Sequence, residues 1–259
     1  MKVKLLGTGT STGIPLIGCK CEVCLSTNPY NKRLRTSAYL SLDEDTNILI
    51  DTGPDLRQQC LRESITKVDF VFYTHFHSDH VYGIDDLRAF NFLHKKPITA
   101  FADKDTINSI KKNFNYCFEQ KKQQSSVTNM ELNQIEYYKE FKVNNYTVLP
   151  IQLKHGKLDV TGYRIGKLAY LTDCSELSQK AISNLKDLDI LIINGLRYKA
   201  HPTHFTIPQV IKKIEEIKPK KTFLTHISHD VEHLRDNEKI KTLTNLDVSL
   251  AYDGLEFTL

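Results

Sequence analysis

No stretch of this 259-residue sequence approaches the roughly 18 apolar residues of a membrane span. The opening MKVKLLGTGTSTG has lysines and a short apolar stretch, but Gly7 and Gly9 interrupt it, and no small-residue cleavage site follows as in a signal peptide. Strong charge of either sign is also missing. A net +4 is too mild to argue nucleic acid, which calls for a clustered basic stripe, although it suits an anionic substrate. Linkers, low-complexity tracts and short repeats are absent too. These absences predict a cytoplasmic protein with no membrane partner and an unlikely fit to nucleic acid. With 40% hydrophobic and 25% charged residues, the chain has the composition of a folded globular protein.

Short apolar or alternating runs recur at 2–6, 37–42, 47–50, 69–73, 98–101, 146–154, 160–165, 168–172, 189–193, 221–224 and 248–251. They are bounded by Gly, Pro, Asn or Asp and read as strands. Amphipathic stretches at 55–63, 81–93, 103–114, 176–186, 206–217 and 231–243 read as helices, with Thr206 or Pro208 opening one and Pro219 closing it. Strands interspersed with helices predict one α/β layered domain over 1–259. The least patterned stretch is 115–145, including QKKQQSS at 120–126, and is expected to be a surface insertion or a lid.

The most informative segment is VDFVFYTHFHSDHVYGIDD, residues 68–86. An apolar strand runs directly into four candidate metal ligands within six residues: His75, His77, Asp79 and His80. In extended chain, residues two apart project to the same side, so His75 and His77 can grip one ion together. Asp79 and His80 fall at the turn into the next helix, within reach of a second ion. Packing does not explain such a cluster. His155, Asp173 (in YLTDCSE) and His226 (in FLTHISHD) each follow an apolar strand, the place where open α/β sheets gather their sites.

The cysteines add a second constellation. Cys19, Cys21 and Cys24 crowd together, whereas Cys60, Cys117 and Cys174 stand alone. Three soft ligands spaced C-x-C-x-x-C lack one for a tetrahedral zinc, and His229, three residues beyond His226, is the natural fourth. Ligands so far apart in sequence point to a closed structural site.

HxHxDH followed by distant His, Asp and His resembles the metallo-β-lactamase-fold hydrolase superfamily. The resemblance implies a metallo-β-lactamase-like four-layer αβ/βα sandwich with two catalytic divalent ions, zinc or manganese, at one edge of the sheets. It implies that His75, His77 and His155 hold one ion, that Asp79, His80 and His226 hold the other, and that Asp173 bridges them. The segment GTGTSTGIPLIGCKCEVC, with HPTHFT and THISHD, looks like the branch containing phosphoribosyl cyclic phosphodiesterase of the carbon–phosphorus lyase pathway. That branch implies one structural zinc on Cys19, Cys21, Cys24 and His229. It also implies a catalytic histidine that protonates the leaving oxygen, at His204 by position, with His201 the competing residue. Asp51, in DTGPD, is read as a residue behind a ligand or in a turn.

Two divalent cations, offset by Asp79, Asp173 and a bridging hydroxide, leave about one positive charge at the centre, which favours an anionic substrate. The expected reaction is hydrolysis of a small, cyclic or nucleotide-like phosphodiester. The alternatives are an RNA-processing nuclease of the tRNA-maturation type and a non-catalytic accessory protein of a cofactor pathway. Stretch 115–145 contains neither Gly nor Pro, unlike the extruded arm of the tRNA enzymes. A homodimer is expected by resemblance alone.

Overall fold

A computed structural model describes residues 1–119 and 126–259. Their strands are β1 (Lys2–Gly7), β2 (Ser37–Asp43), β3 (Thr46–Ile50), β4 (Phe70–Phe72), β5 (Ile98–Ala102), β6 (Met130–Gln134) and β7 (Phe141–Val143). There follow β8 (Tyr146–His155), β9 (Leu158–Ile165), β10 (Leu168–Leu171), β11 (Ile190–Asn194), β12 (Lys221–Thr225), β13 (Val248–Leu250) and β14 (Glu256–Thr258). One sheet has the order β14-β1-β2-β3-β4-β5-β6 and the other β13-β12-β11-β10-β9-β8-β7. Each is antiparallel in one half and parallel in the other: β3 to β6 and β10 to β13 run parallel.

Alternation along the strands builds three apolar layers. Leu40, Ile48, Ile50 and Phe72 of the first sheet meet Tyr163, Tyr170, Ile192 and Phe223 of the second. Their neighbours point the opposite way: Leu49 and Val71 face one outer helical layer, and Ala169, Leu171, Leu191 and Leu224 face the other. This period of two, buried on both faces, is what packed parallel strands require. The helix Ile207–Ile217 shows the complementary pattern. Ile207, Val210, Ile211, Ile214 and Ile217 are buried at helical spacing, and Thr206 with Gln209 forms a capping box at its start. The result is the expected four-layer sandwich.

Three strands lie outside the sequence reading. Within 115–145, β6 and β7 form the outer edges of the two sheets, and β14 closes the far edge of the first. Residues 120–125 of the expected insertion or lid lie outside the described residues. The predicted helix over 81–93 is three short pieces: Ser78–Val81, Ile84–Leu87 and Arg88–His94. No helix among the described residues is long and apolar enough to cross a membrane.

Candidate metal centre

Every predicted ligand of the paired site stands just past, or at the end of, a strand that points toward one rim. His75 to His80 follow β4, His155 ends β8, Asp173 follows β10 and His226 follows β12. Asp51, Asp173 and His226 adopt positive φ angles of 60°, 54° and 55°. For a non-glycine residue this left-handed conformation is held only where the surroundings fix it.

The ligand-type atoms converge as the resemblance implied. His75, His77 and His155 form one group, and Asp79, His80 and His226 another. Asp173 groups with His75 and His80, and also with His155 and His204. His75 Nε2 and His77 Nδ1 are 3.0 Å apart, near the edge of about 3.3 Å expected for two nitrogens on one tetrahedral zinc. The Asp173 carboxylate lies against the second group, Oδ2 3.2 Å from His80 Nε2 and Oδ1 3.2 Å from His226 Nε2, and its grouping with His75 and with His155 brings it to the first as well. Asp79 Oδ2 is 3.1 Å from His80 Nε2.

Divalent cations fit these residues. His80 Nε2 and His226 Nε2 are buried without a hydrogen-bond partner, a costly arrangement unless an ion takes their lone pairs. Burial, then the neighbouring His80, keeps His75 well below the usual imidazole range, the neutral state that a ligand needs. Burial opposes charge on His80, but Asp79, Asp173 and Asp51 outweigh it and raise it well above its ordinary value. The pocket calls for positive charge.

Behind the ligands, two contacts fix ring orientation. Asp51 is fully buried, 2.7 Å from His80 Nδ1, and accepts from the Thr74 amide and hydroxyl, each at 2.8 Å. It is the hydrogen-bond partner of a candidate ligand. His155 Nδ1 lies 2.8 Å from the Thr203 carbonyl oxygen and donates to it, which leaves Nε2 for an ion. Sequence carries no signal for the second contact, because its acceptor is main chain. Cys174 points away from the centre: its thiol donates to the Glu176 carbonyl at 3.2 Å and is buried in the core.

His204 is buried beside the centre, its ring 4.6 Å from that of His155 and 4.8 Å from that of His226. Its Nδ1 lies 3.7 Å from Asp173 Oδ1. Burial, then the His226 imidazole, pulls it down to about 2. His201 sits further out, its ring 4.9 Å from that of His204 and its Nδ1 turned back toward the Thr203 hydroxyl.

The second constellation also closes. The Sγ atoms of Cys19, Cys21 and Cys24 lie 3.4, 3.4 and 3.7 Å from His229 Nδ1. A tetrahedron with zinc–sulfur bonds of about 2.3 Å has edges of this size. The Cys21 thiol is lowered to about 6, chiefly by the Cys24 amide, while burial raises Cys24 to about 11.

The family model for the beta-lactamase superfamily domain matches residues 46–227. A protein of Porphyromonas gingivalis, named an octanoyltransferase, is 39% identical over 257 residues, covering 99% of this chain and 51% of that protein. A ribonuclease Z of Staphylococcus epidermidis is 30% identical over 163 residues, covering 61% of this chain and 47% of that protein. The chain spans about half the length of these curated relatives. A crystal structure of a diphosphatase from the PhnP family superimposes with a TM-score of 0.90 at 36% identity, covering 100% of this chain and 97% of that one.

Proposed function

The chain belongs to the beta-lactamase superfamily domain family, with the fold of its metal-dependent hydrolases, and from that premise we propose that it hydrolyses a small anionic phosphodiester. The observation that carries this reading is the position of His204, which groups with His155 and Asp173. In this reading His204 is the proton donor, beside both candidate cation positions. Two divalent cations held by His75, His77, His155, Asp79, His80, His226 and Asp173 would polarise a phosphoryl oxygen and supply a nucleophilic water at neutral pH.

The chain's own residues do the rest. Asp173, anchored through Oδ2 by the Thr172 hydroxyl at 2.8 Å, keeps the two ligand groups in register. Asp51 and the Thr203 carbonyl hold His80 and His155 in the tautomers that binding requires. His204 protonates the departing oxygen. In the free protein its environment favours the neutral ring, and a phosphate entering alongside brings the negative charge that favours the imidazolium. Cys19, Cys21, Cys24 and His229 would hold a structural zinc away from the reaction.

A diphosphate linkage is the second reading, favoured by the likeness to the PhnP-family diphosphatase. The two differ in the leaving group, since an alkoxide needs a proton far more than a phosphate does. Rates of wild type and His204→Ala on an alkyl diester, an aryl diester, a diphosphate diester and the matching monoester test both. Diester turnover without monoester turnover is expected, with a deficit of about 10²–10⁴-fold in His204→Ala on the alkyl diester, shrinking on the aryl one. Inertness of the metal-replete protein toward every diester would overturn the proposal.

A further inference from the structure

Residues 195–207 form an arm that carries His204 and touches the backbone beside several of the candidate ligands. The Gly195 amide donates to the Thr225 carbonyl at 3.0 Å, one residue before His226. The Phe205 amide donates to the Cys174 carbonyl at 2.7 Å, one residue after Asp173, and the Leu196 amide donates to Phe205 at 3.1 Å. The third attachment is of another kind, because it passes through a ligand's own ring: His155 Nδ1 donates to the Thr203 carbonyl at 2.8 Å.

Thr203 is also seated by its side chain. Gly156 follows His155 with a φ of +62°, and a Cβ built on it would lie 2.9 Å from the Thr203 γ-methyl. Its amide donates to the Ser175 hydroxyl at 3.0 Å, so this backbone is not free to retreat. The methyl of Thr203 therefore rests on the one residue type that leaves room for it, while its carbonyl takes the proton of the neighbouring imidazole. Thr203 immediately precedes His204.

We propose that Thr203, seated on Gly156, is a positioning residue that fixes the His155 tautomer and the place of His204 together. Raising the floor at Gly156 displaces Thr203, lengthens the bond to His155 and swings His204 off the leaving oxygen. The proposal rests on His204 acting as the proton donor.

The test compares Gly156→Ala, Thr203→Gly, Gly156→Ala/Thr203→Ser and His204→Ala with wild type. Thr203→Gly unseats the arm without straining position 156. It keeps the question open should Gly156→Ala fold poorly. Two measurements are made: rates on alkyl and aryl diesters, and the imidazole N–H resonance of His155 by NMR on metal-depleted protein. Both single variants are expected to slow the alkyl diester by about tenfold, part of the 10²–10⁴-fold typical of a general acid. The aryl diester changes little, and the imidazole proton is lost to solvent exchange. The double variant, lacking the methyl, recovers most of the rate and the resonance. An unchanged resonance in both single variants, or a loss equal for both leaving groups while His204→Ala still discriminates between them, overturns the proposal. Should His204→Ala itself be indifferent to the leaving group, the proton-donor reading falls and this proposal with it.

Discussion

Replacing Asp51 by asparagine isolates what a buried carboxylate does behind the metal centre. The residue has a φ of 60°, a conformation that Asn tolerates, so the backbone need not move. The carboxylate accepts from the Thr74 amide, the Thr74 hydroxyl and His80 Nδ1, at 2.8, 2.8 and 2.7 Å. The amide oxygen of Asn can keep the Thr74 amide, but its NH2 group then faces His80. His80 answers by moving its proton to Nε2, the nitrogen that points at Asp79 and Asp173 from 3.1 and 3.2 Å. A ligand atom becomes a donor. Loss of such a partner typically weakens metal binding about 10–100-fold, which is about 1.4–2.7 kcal/mol. Without metal the substitution removes both the cost of burying the carboxylate and its attraction to His80, two opposed effects, so melting of the metal-free protein is expected to change little while the metal-loaded form melts earlier. Competition titration against a chromophoric chelator reads the affinity, with the Cys19/Cys21/Cys24/His229 zinc as internal standard. Unchanged affinity at the paired site, or loss of all metals together, would refute the reasoning.

Cys21→Ala is expected to lose one zinc per chain by elemental analysis and about 2 kcal/mol or more of stability, a fall in Tm of ~4–8 °C at this size, while the paired centre still loads. Loss of every metal would mean that the ligands are partitioned differently. His233 makes stability depend on pH: burial, then the adjacent Arg33 guanidinium, lowers it to about 4 from an ordinary 6.5. The unfolded chain then binds the extra proton between these values, so the stabilisation is complete above pH 6.5 and drains away as the pH falls toward 4. Urea melts across pH 4–7 should show this slope, and His233→Gln should flatten it. An equal slope in the variant would assign it to other groups.

Much of the centre was legible because its logic is local. HxHxDH after an apolar strand, and single His or Asp residues closing other apolar strands, announce candidate ligands at a rim without any knowledge of the topology. The strand runs were readable for the same reason, since inter-sheet residues such as Ile48, Ile50 and Phe72 alternate with residues facing the helices. The edge strands were not. β6 reads MELNQ and β14 reads EFT, polar segments recruited by an existing neighbour rather than by their own pattern. The helix expected over 81–93 failed at Gly83, whose amide is drawn to the Thr52 carbonyl at 2.7 Å. The Thr203 carbonyl lay beyond reach altogether, because a main-chain acceptor has no letter of its own.

The cysteine–histidine knot bears on how the protein is made. Cys24 and His229 lie 205 positions apart, and a ribosome adding about 5–20 residues per second needs ~10–40 s to travel between them. Throughout that interval three thiols wait for an imidazole that has not yet been synthesised. With the proposed zinc in short supply during those seconds, a nascent chain would offer its thiols to oxidants instead, and metal scarcity would be felt first at birth rather than in the folded protein.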